Sequence, residues 1–555
     1  MAAAVLLGYV SAPHARLVLG ASPADGTIPG AFHVHTNRSD GRGSPSDVAA
    51  AAARAGLRFV ILTDHGDATR APDPPTYRSG VLCLDGVEIS TNGGHYIAVD
   101  MPASPYPLGG EVRAVVEDVE RLGGFGVIAH PVSPRSELKW NDWNLTVDAM
   151  ELVNLDTSWR LRLRRPGFQS RLELLGALFA YPFRGEESIA NLLATAPESF
   201  DRYQSLAARD HVVALAGADG HASLGLRGAD PGVGRYSLPF PGYETVFRTM
   251  SLRVEPAAPL SGDPAADAVI LVDSIRAGRV YTVVDGLASP PSFSFTASRG
   301  NEMVGAGEEL LDGDAFTLHV RSNAPQTFTT RIWKDLRVLA AGNRDGQLSV
   351  VASGPGVYRA EIRAADRPGA PLWILSNPIY VRGADVVAEA PTTSAVDVRR
   401  FDGQSLWRTE TDATSLVAFD PLPDPSESGG VITFSLGGGA PRGQFAAIAL
   451  DTSAGLDPFD HLVFTARADQ PMRVSVQVRA AVDPSSDDRW QRSVFVDATE
   501  REYLVPLREM TPVGETTSRE PPLDRLHSVL FVVELTNTRP GSEGQIWLRR
   551  VRAQR

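Results

Sequence analysis

The sequence predicts a multidomain chain in which an α/β domain precedes two β-rich domains. Strand-like and helix-like segments alternate across residues 30–285, which indicates a parallel sheet, either a barrel or a doubly wound sheet. Apolar and polar residues alternate with period two in 286–383 and again in 398–555, as in half-buried antiparallel strands. We therefore expect two β-sandwiches, separated by an Ala-, Pro-, Thr- and Val-rich linker at 384–397. Residues 1–29 are interpreted as a lead-in or a degenerate export signal.

The length and charge of the chain limit the classes of function. Its 555 residues correspond to about three or four domains at roughly 100–200 residues per domain. The net charge of −13 disfavours non-specific binding to a phosphate backbone, so we expect no stable nucleic-acid partner. Cys83 is the only cysteine, which excludes an intramolecular disulfide and a Cys-rich zinc site.

Targeting signals in the sequence are weak. No apolar run reaches the ~18 residues of a membrane-spanning helix, so no membrane span is predicted. The N-terminal MAAAVLLGYVSAPHA has an apolar core followed by small residues, but no basic segment precedes that core. Appended β domains of this kind are common on exported proteins. We expect a soluble protein and favour an extracytoplasmic location.

The α/β domain begins with a strand, a capped helix and a second strand. Ser44-Pro45-Ser46-Asp47 is typical of a capping box with Pro in the first turn, and it predicts a helix over Val48–Ala55 that Gly56 ends. Arg58–Thr63 is continuously apolar, as in a buried strand. The same criteria predict further strands and two helices: Val81–Ile89, Tyr96–Val99, Phe125–Ala129, Met150–Val153 and Val212–Ala216, with helices Glu111–Leu122 and Arg171–Phe179.

Possible metal ligands follow the first two of these strands. His33 and His35 lie on the same side of one strand, because strand side chains alternate, so both can bind one ion. Asp40 follows five residues later, and Asp64-His65 ends the next strand. These residues follow predicted strands, and in α/β barrels the catalytic residues lie at the carboxyl ends of the strands. Imidazole and carboxylate ligands together suit Zn, Mn or Fe.

Later strand ends add further histidines and acids. Glu88 ends a strand and His95 follows it; a carboxylate can bridge two cations, so Glu88 is the predicted bridge. His130 ends the strand FGVIA, and the stretch LAGADGHA contributes Asp219 and His221. Each position alone is equally consistent with an ordinary polar strand end, whereas together they predict a metal centre.

The motifs HVHTNRSDG, LTDHG, GVEIS…GH, IAHP and GADGHA resemble the PHP (polymerase and histidinol phosphatase) superfamily across about 30–285. The resemblance implies a distorted (β/α)7 barrel with two or three divalent ions. It implies a ligand set of nine residues: His33, His35, Asp40, His65, Glu88, His95, His130, Asp219 and His221. It also implies that Asp64 lies behind the ligands and orients a ligand histidine.

A metal centre of this kind predicts a hydrolase, since divalent ions can lower the pKa of water. Asp219 is the candidate acceptor of the nucleophile's proton, and His221 or His130 the candidate donor to the leaving group. Five further side chains are candidates for binding the substrate: Arg38, Arg160 and Arg184 for an anionic group, and Trp140 and Trp143 for the pocket wall. Trp159, after the next strand, is a sixth candidate, for the same wall. Solvated surface charges and packing under a loop remain the alternatives for them.

Three functions stay open, all with a small-molecule ligand. A phosphoesterase acting on phosphate monoesters or small diesters is favoured, because it is the commonest activity of the superfamily. The stretch TDHG…GVEISTNGGHYIAVD is similar to the carbaryl-hydrolase-like branch, which implies a carbamate or ester hydrolase as the alternative. A non-catalytic metal- or ligand-binding protein is the third. The block 286–383 resembles Ig-like spacers, and 398–555 a galactose-binding-like jelly roll of the carbohydrate-binding-module type, which implies a carbohydrate partner for that domain.

Overall fold

The computed structural model describes most of the chain, in ten segments. These are residues 14–20, 26–164, 168–193, 195–225, 237–383, 397–401, 407–424, 427–452, 455–483 and 486–555. The predicted linker lies outside the described residues except for Asp397, and so do residues 1–13 and 21–25 of the predicted lead-in. The chain divides into two compact units. The first comprises 1–66, 71–102 and 119–386, and the second 67–70, 103–118 and 387–555.

The described residues form eight α-helices. Seven lie in the first unit, and α2 contains residues assigned to both units. They are α1 (Pro45–Arg54), α2 (Val112–Arg121), α3 (Leu155–Arg164), α4 (Phe168–Ala180), α5 (Gly185–Leu192), α6 (Pro197–Ala207), α7 (Tyr243–Thr249) and α8 (Pro264–Arg276).

The first unit is rich in strands. They are β1 (Leu17–Val18), β2 (Ile28–Val34), β3 (Phe59–Leu62), β4 (Thr76–Arg78), β5 (Val81–Asp85), β6 (Val87–Thr91), β7 (Gly94–Val99), β8 (Phe125–Ile128), β9 (Ala149–Asn154), β10 (Val213–Gly217), β11 (Leu224–Gly225), β12 (Ser237–Leu238), β13 (Ser251–Val254), β14 (Val280–Val283), β15 (Ala288–Ser289), β16 (Phe293–Arg299), β17 (Glu302–Gly305), β18 (Glu309–Leu311), β19 (Phe316–Ser322), β20 (Phe328–Lys334), β21 (Arg337–Gly342), β22 (Gln347–Ala352), β23 (Gly356–Ala364), β24 (Leu372–Ser376) and β25 (Ile379–Arg382).

The capped helix that the sequence predicts is confirmed; it begins three residues earlier and ends one residue earlier than predicted. The Ser44 hydroxyl accepts a hydrogen bond from the backbone N–H of Asp47 at 3.2 Å, and the Asp47 carboxylate accepts one from the backbone N–H of Ser44 at 2.9 Å. Pro45 occupies the first turn of α1, where its missing N–H has no intrahelical partner to lose. The short helix thus fixes the connection from β2 to β3.

Strands of the α/β region pair in two groups that single bridges connect. In one group β2, β3 and β5 pair in parallel. In the other, β8, β9 and β10 pair in parallel, and β6 and β7 continue the sheet. Isolated parallel bridges join Val34 to Gly220 and His65 to Glu88. The pairing therefore runs from β2 through β3, β6, β7, β8, β9 and β10 and back to β2.

Part of this sheet departs from the parallel arrangement that the alternation predicts. The pairs β6–β7 and β7–β8 are antiparallel. Only Asn92 and Gly93 connect β6 to β7, and a parallel crossover needs a dozen or more residues, so these two strands can only form a hairpin. Strand β13 is also antiparallel to β2.

The β-rich region after residue 286 belongs to the first unit. Strand β14 of the α/β region pairs with β24, so one sheet continues into β23, β25, β20, β21 and β18. Strands β17, β16, β19 and β22 form a separate four-stranded antiparallel sheet. Phe328 and Trp373 pack edge to face at 5.3 Å in the core of this region.

The second unit is a sandwich of two six-stranded sheets. Its strands are β26 (Val398–Arg400), β27 (Trp407–Thr411), β28 (Leu416–Pro421), β29 (Gly429–Ser435), β30 (Phe445–Asp451), β31 (His461–Ala468), β32 (Met472–Asp483), β33 (Ser486–Val496), β34 (Arg501–Pro506), β35 (Thr511–Pro512), β36 (Leu526–Glu534) and β37 (Glu543–Gln554).

One apolar core lies between the two sheets of the second unit. Phe464 of β31 and Phe531 of β36 pack edge to face across it at 5.1 Å, and Trp490 is fully buried in the same core. The chain is thus multidomain and sheet-rich, as predicted. None of the described helices has the length and apolarity needed to cross a membrane.

Candidate metal centre

Strands of the α/β region and the segments next to them bring the nine predicted ligands together. Glu88, which was expected to end a strand, is instead the second residue of β6. The nine ligands fall into four overlapping groups in which the candidate ligand atoms lie within 4.8 Å of one another: His35, Asp40, His65 and His221; His33, Glu88 and His130; His33, His35 and Asp219; and His65, Glu88 and His95. His33, His35, His65 and Glu88 each belong to two groups, so neighbouring groups share candidate ligands.

Three of these residues adopt a backbone conformation that is rare for residues other than glycine. The φ angles of His33, His130 and Asp219 are 64°, 29° and 46°. Left-handed backbone at such residues costs on the order of 1–3 kcal/mol and is concentrated at functional sites. The fold holds these side chains at the centre despite that cost.

Glu88 lies at the middle of the centre and is buried. One carboxylate oxygen, Oε1, is 2.8 Å from His95 Nδ1 and 2.9 Å from His130 Nε2. The other, Oε2, is 3.2 Å from Nε2 of both His33 and His35. Each oxygen therefore faces a different set of imidazoles, which is the arrangement that a bridging carboxylate needs.

Asp40 forms a second focus of the centre. Its Oδ2 atom is 3.1 Å from His221 Nε2 and 3.6 Å from His65 Nε2, and its Oδ1 atom is 3.3 Å from His35 Nδ1. His35 and His221 stack with their ring centroids 4.1 Å apart. Asp219 adds a third carboxylate, with Oδ1 at 3.6 Å from the Nε2 atoms of His33 and His35.

The hydrogen bonds behind three of the histidines show that the residues fit a bound cation. The Nδ1 atoms of His33, His130 and His221 contact oxygens that only accept: Glu151 Oε1 at 2.6 Å, the Leu138 carbonyl at 3.3 Å and the Asp219 carbonyl at 3.0 Å. Nδ1 is therefore the protonated nitrogen, and a neutral ring turns the lone pair of Nε2 towards a carboxylate. Each facing pair needs a proton or a cation between its two atoms. Metal-binding histidines characteristically donate their other N–H in this way.

The acidic surroundings raise the proton affinity of two histidines at the edge. Burial alone would lower the pKa of His65, but the charges of Glu88 and Asp40 outweigh it and raise the pKa to about 9. Burial would likewise lower the pKa of His221, but Asp40 and Asp219 outweigh it and raise the pKa to about 9. The same negative potential that favours imidazolium here favours a divalent cation.

His35 has the opposite shift. Burial and the neighbouring His221 lower its pKa to about 4, so it is neutral at pH 7, which is the form that binds metals. Burial would raise the pKa of Asp40 and of Glu88, but the surrounding histidines lower both. Both carboxylates are therefore ionised and available as ligands.

Glu151 is a functional residue that the sequence analysis missed. Its Oε1 atom accepts the hydrogen bond from His33, while Oε2 accepts from the backbone N–H of His130 at 2.6 Å and from Asn154 Nδ2 at 2.9 Å. A Cβ at Gly217 would overlap this carboxylate, so the glycine makes room for it. The available signal was an acid in the middle of the apolar strand AMELVN, where a charge needs a partner.

Asp64 organises a loop. Its Oδ1 atom accepts from the Thr36 N–H at 2.7 Å and from the Ser39 hydroxyl at 2.6 Å, and its Oδ2 atom accepts from the Thr36 hydroxyl at 2.7 Å. Thr36 and Ser39 lie between His35 and Asp40. Asp64 thus positions two candidate ligands through the backbone, in place of the direct contact with a histidine that the resemblance implies.

The three arginines predicted to bind an anion have other surroundings. Arg38 forms ion pairs with Asp73 and, at 3.4 Å, with Asp85. Arg160 pairs with Asp156 at 2.5 Å, and its guanidinium lies over the ring of Trp159. Arg184 precedes the first residue of α5. The acids that pair with Arg38 and Arg160 lie outside the nine predicted ligands.

Of the three tryptophans that are candidates for the pocket wall, one lines the cavity beside the metal centre. Trp140 is buried, packs on Tyr96 and donates its indole N–H to the Asp142 carbonyl at 2.7 Å. Trp143 lies beneath the guanidinium of Arg202. Of these tryptophans, Trp159 alone lines the cavity beside the centre within the part of the chain that the structure describes.

That cavity has a volume of about 310 Å³ and is bounded on one side by Asp219, Gly220 and His221. The opposite walls come from α3, α4 and α5, which the sequence inserts between β9 and β10, and from Phe240 and Pro241. Such a volume lies at the lower end of the roughly 300–1,000 Å³ of small-molecule sites.

Comparison with known proteins gives distant structural likeness only. No protein-family model matches the chain, and no curated protein matches it. A two-domain protein from Bacteroides vulgatus, containing a predicted PHP-like metal-dependent phosphoesterase, is 14% identical; the match covers 66% of this chain and 99% of that one, with a TM-score of 0.32. A family 11 carbohydrate-binding module of a cellulosomal cellulase of Clostridium thermocellum is 12% identical over 29% of this chain and 95% of its own, with a TM-score of 0.24. A family 30 carbohydrate-binding module is 11% identical; the match covers 26% of this chain and 76% of that one, with a TM-score of 0.19.

Proposed function

We propose that the first unit is a metal-dependent hydrolase that holds two or three divalent ions of Mn, Zn or Fe between Glu88, Asp40 and the surrounding histidines. One observation carries the proposal. The Nε2 atoms of His33, His130 and His221 lie within 3.2 Å of buried carboxylate oxygens, while their Nδ1 atoms contact acceptor oxygens behind the rings. Divalent ions, when bound, polarise a substrate oxygen and lower the pKa of water.

The chain's own residues supply proton transfer beside the ions. Asp219 is half-buried, and the charges of His33 and His221 lower its pKa by more than burial raises it, so it is ionised. His221 lines the cavity, whereas His130 does not appear among the described lining residues. We therefore assign proton acceptance to Asp219 and donation to the leaving group to His221 in preference to His130.

The reaction that we favour is hydrolysis of a small phosphate monoester or diester. Several adjacent cation sites suit a group with several anionic oxygens. A carbamate or carboxylate ester offers only one carbonyl oxygen to be polarised, and we retain its hydrolysis as the alternative. A metal-binding protein without catalysis is the third candidate.

An initial-rate assay of the full chain separates the three candidates. Metal-free protein is reconstituted with Mn, Zn or Fe and assayed with 4-nitrophenyl phosphate, bis(4-nitrophenyl) phosphate and an aryl N-methylcarbamate. We expect turnover of a phosphate ester, lost in His33→Ala/His35→Ala and kept in His319→Ala, whose ring bonds to Ser298 and Ser349 away from the centre. Turnover of the carbamate alone would favour the alternative, and bound metal without turnover would favour the binding protein.

For the second unit we propose carbohydrate binding, on the strength of a groove of about 640 Å³. Asp469, Gln470, Glu543 and Gln545 line it together with Thr433 and Ser435. Carboxylates and amides of this kind can pair with sugar hydroxyls. Trp490 is buried, and Arg467 covers one face of Trp547 at 3.6 Å, so stacking by these two rings is not the basis. Affinity electrophoresis of the full chain against a panel of polysaccharides, compared with Gln470→Ala/Gln545→Ala, tests it; equal mobility of both proteins in every gel would refute it.

A further inference from the structure

The walls of the cavity beside the metal centre are apolar. Leu155, Leu174, Ala177, Ile189, Leu192 and Val246 contribute side chains from four helices. Displacement of water from apolar surface by an apolar group lowers the free energy, so such a cavity favours an apolar ligand. The sequence could have closed this space with larger side chains, for instance at Ala177.

The cavity adjoins one edge of the metal centre, the edge formed by Asp219 and His221. Asp219 and His221, which follow β10, belong both to the candidate metal groups and to the cavity wall. A molecule whose reacting group lies at this edge must therefore place its neighbouring atoms in the apolar space.

The carboxylates of the wall disfavour an anionic occupant. No lysine or arginine appears among the described residues of the wall, which include the carboxylates of Asp156 and Asp219. Asp156 is already engaged, accepting hydrogen bonds from Arg160 Nε at 2.5 Å and from the Trp159 indole at 3.0 Å. A second anionic group would be repelled and left without a partner.

Part of the apolar wall is exposed to solvent. Leu163 and Leu178 line the cavity and are 61% and 54% exposed. An apolar group longer than the cavity would cover these side chains too.

We infer that the substrate carries one sizeable uncharged apolar arm, an alkyl chain or an aryl ring, which occupies this cavity while its ester group faces Asp219 and His221. The inference rests on the proposed function and adds its substrate class. In the hydrolysis of an alkyl phosphate, a water oxygen forms a new P–O bond and the P–O bond to the alkoxide breaks. One water proton goes to the alkoxide, giving the free alcohol, and the other remains with inorganic phosphate or is released.

Alkyl phosphates of increasing length test the arm. Phosphate release from methyl, butyl and octyl phosphate, below micellar concentrations, is measured with the Mn-reconstituted full chain. Burial of three further methylenes predicts a kcat/KM for butyl phosphate that is about 10-fold or more above that for methyl phosphate. Binding of 1-octanol, measured by calorimetry, gives a readout that needs no turnover.

Two variants and one control connect both readouts to the cavity. Ala177→Phe fills it, and Leu178→Asp places a charge on a half-exposed wall position where folding tolerates it. Both should flatten the chain-length dependence and abolish octanol binding. Leu175→Asp, on the same helix with 48% exposure and outside the described wall, should behave as the unmodified protein.

The outcomes separate the two proposals. Turnover that does not depend on chain length, without octanol binding, would overturn the apolar arm and leave the phosphoesterase standing. Octanol binding that Leu178→Asp abolishes, without turnover of any ester, would support the cavity ligand and overturn the phosphoesterase. Neither turnover nor binding would overturn both.

Discussion

Nδ1 of His33 donates a hydrogen bond of 2.6 Å to Oε1 of Glu151, and both side chains are buried. Substitution Glu151→Gln should weaken metal binding by roughly 10–100-fold, the usual effect of losing such a partner. One amide orientation directs its NH₂ at the N–H groups of His130 and Asn154, and the other directs it at His33 Nδ1. Competition with a chromogenic chelator measures the affinity.

The matched control for this substitution is Glu302→Gln, which changes an exposed acid paired with Arg299. It should leave the metal affinity as in the unmodified protein. Equal affinity in the two variants would show that Glu151 has no role in the centre.

Removal of metal should lower the melting temperature of the first unit. Without the metal, the positive charge that compensates the carboxylates facing the imidazoles is lost. At a free metal concentration 100-fold above Kd, binding stabilises the native state by about 2.7 kcal/mol. Differential scanning calorimetry with EDTA and with added Mn measures the shift. The His33→Ala/His35→Ala protein should show none, and an equal shift there would mean that the ion binds elsewhere.

Cys83 should be unreactive in the native protein even at alkaline pH. Burial raises the pKa of its thiol to about 11, so at pH 9 the native state keeps it protonated, while an unfolded chain with an ordinary thiol pKa is largely ionised. Alkylation by iodoacetamide at pH 9 should therefore be slow until denaturant is added. Because Cys83 is the only cysteine, the measurement reports a single site. Rapid alkylation of the native protein would contradict the burial of β5.

Arg473→Met should destabilise the second unit strongly. Arg473 Nε and Nη2 donate to the two oxygens of Asp118 at 2.7 and 3.1 Å, and both side chains are buried. Removing one partner of a buried pair leaves an uncompensated charge, at a cost of about 3–5 kcal/mol. Arg501→Met, which removes an exposed partner of Asp497, should cost no more than about 1 kcal/mol. Chemical unfolding followed by circular dichroism compares the two; equal losses would contradict the prediction.

Much of the candidate centre could be predicted because its residues stand where strands end. The pattern around His33, His35 and His65 combines strand periodicity with ligand chemistry, and both are visible in one dimension. Glu151 was missed because it lies within a strand and acts through a partner 118 residues away. The antiparallel hairpin of β6 and β7 was missed because apolar runs reveal strands but not their direction.

The cavity could not be predicted at all. Its walls combine helices α3 to α5 with residues near Phe240, and the sequence analysis recognised only part of α4, as Arg171–Phe179. Trp140 and Trp159 were equal candidates for the wall. Tertiary packing buries the first and exposes the second to the cavity.

A titration of metal-free protein with Mn, in which bound ions and the initial rate of phosphate-ester hydrolysis are measured on the same samples, tests the central claim most directly. The account predicts that the rate rises with occupancy to a plateau at two or three ions per chain, and that His33→Ala/His35→Ala protein neither binds the full number nor turns over substrate. Full occupancy without hydrolysis, or hydrolysis that does not depend on bound metal, would contradict it.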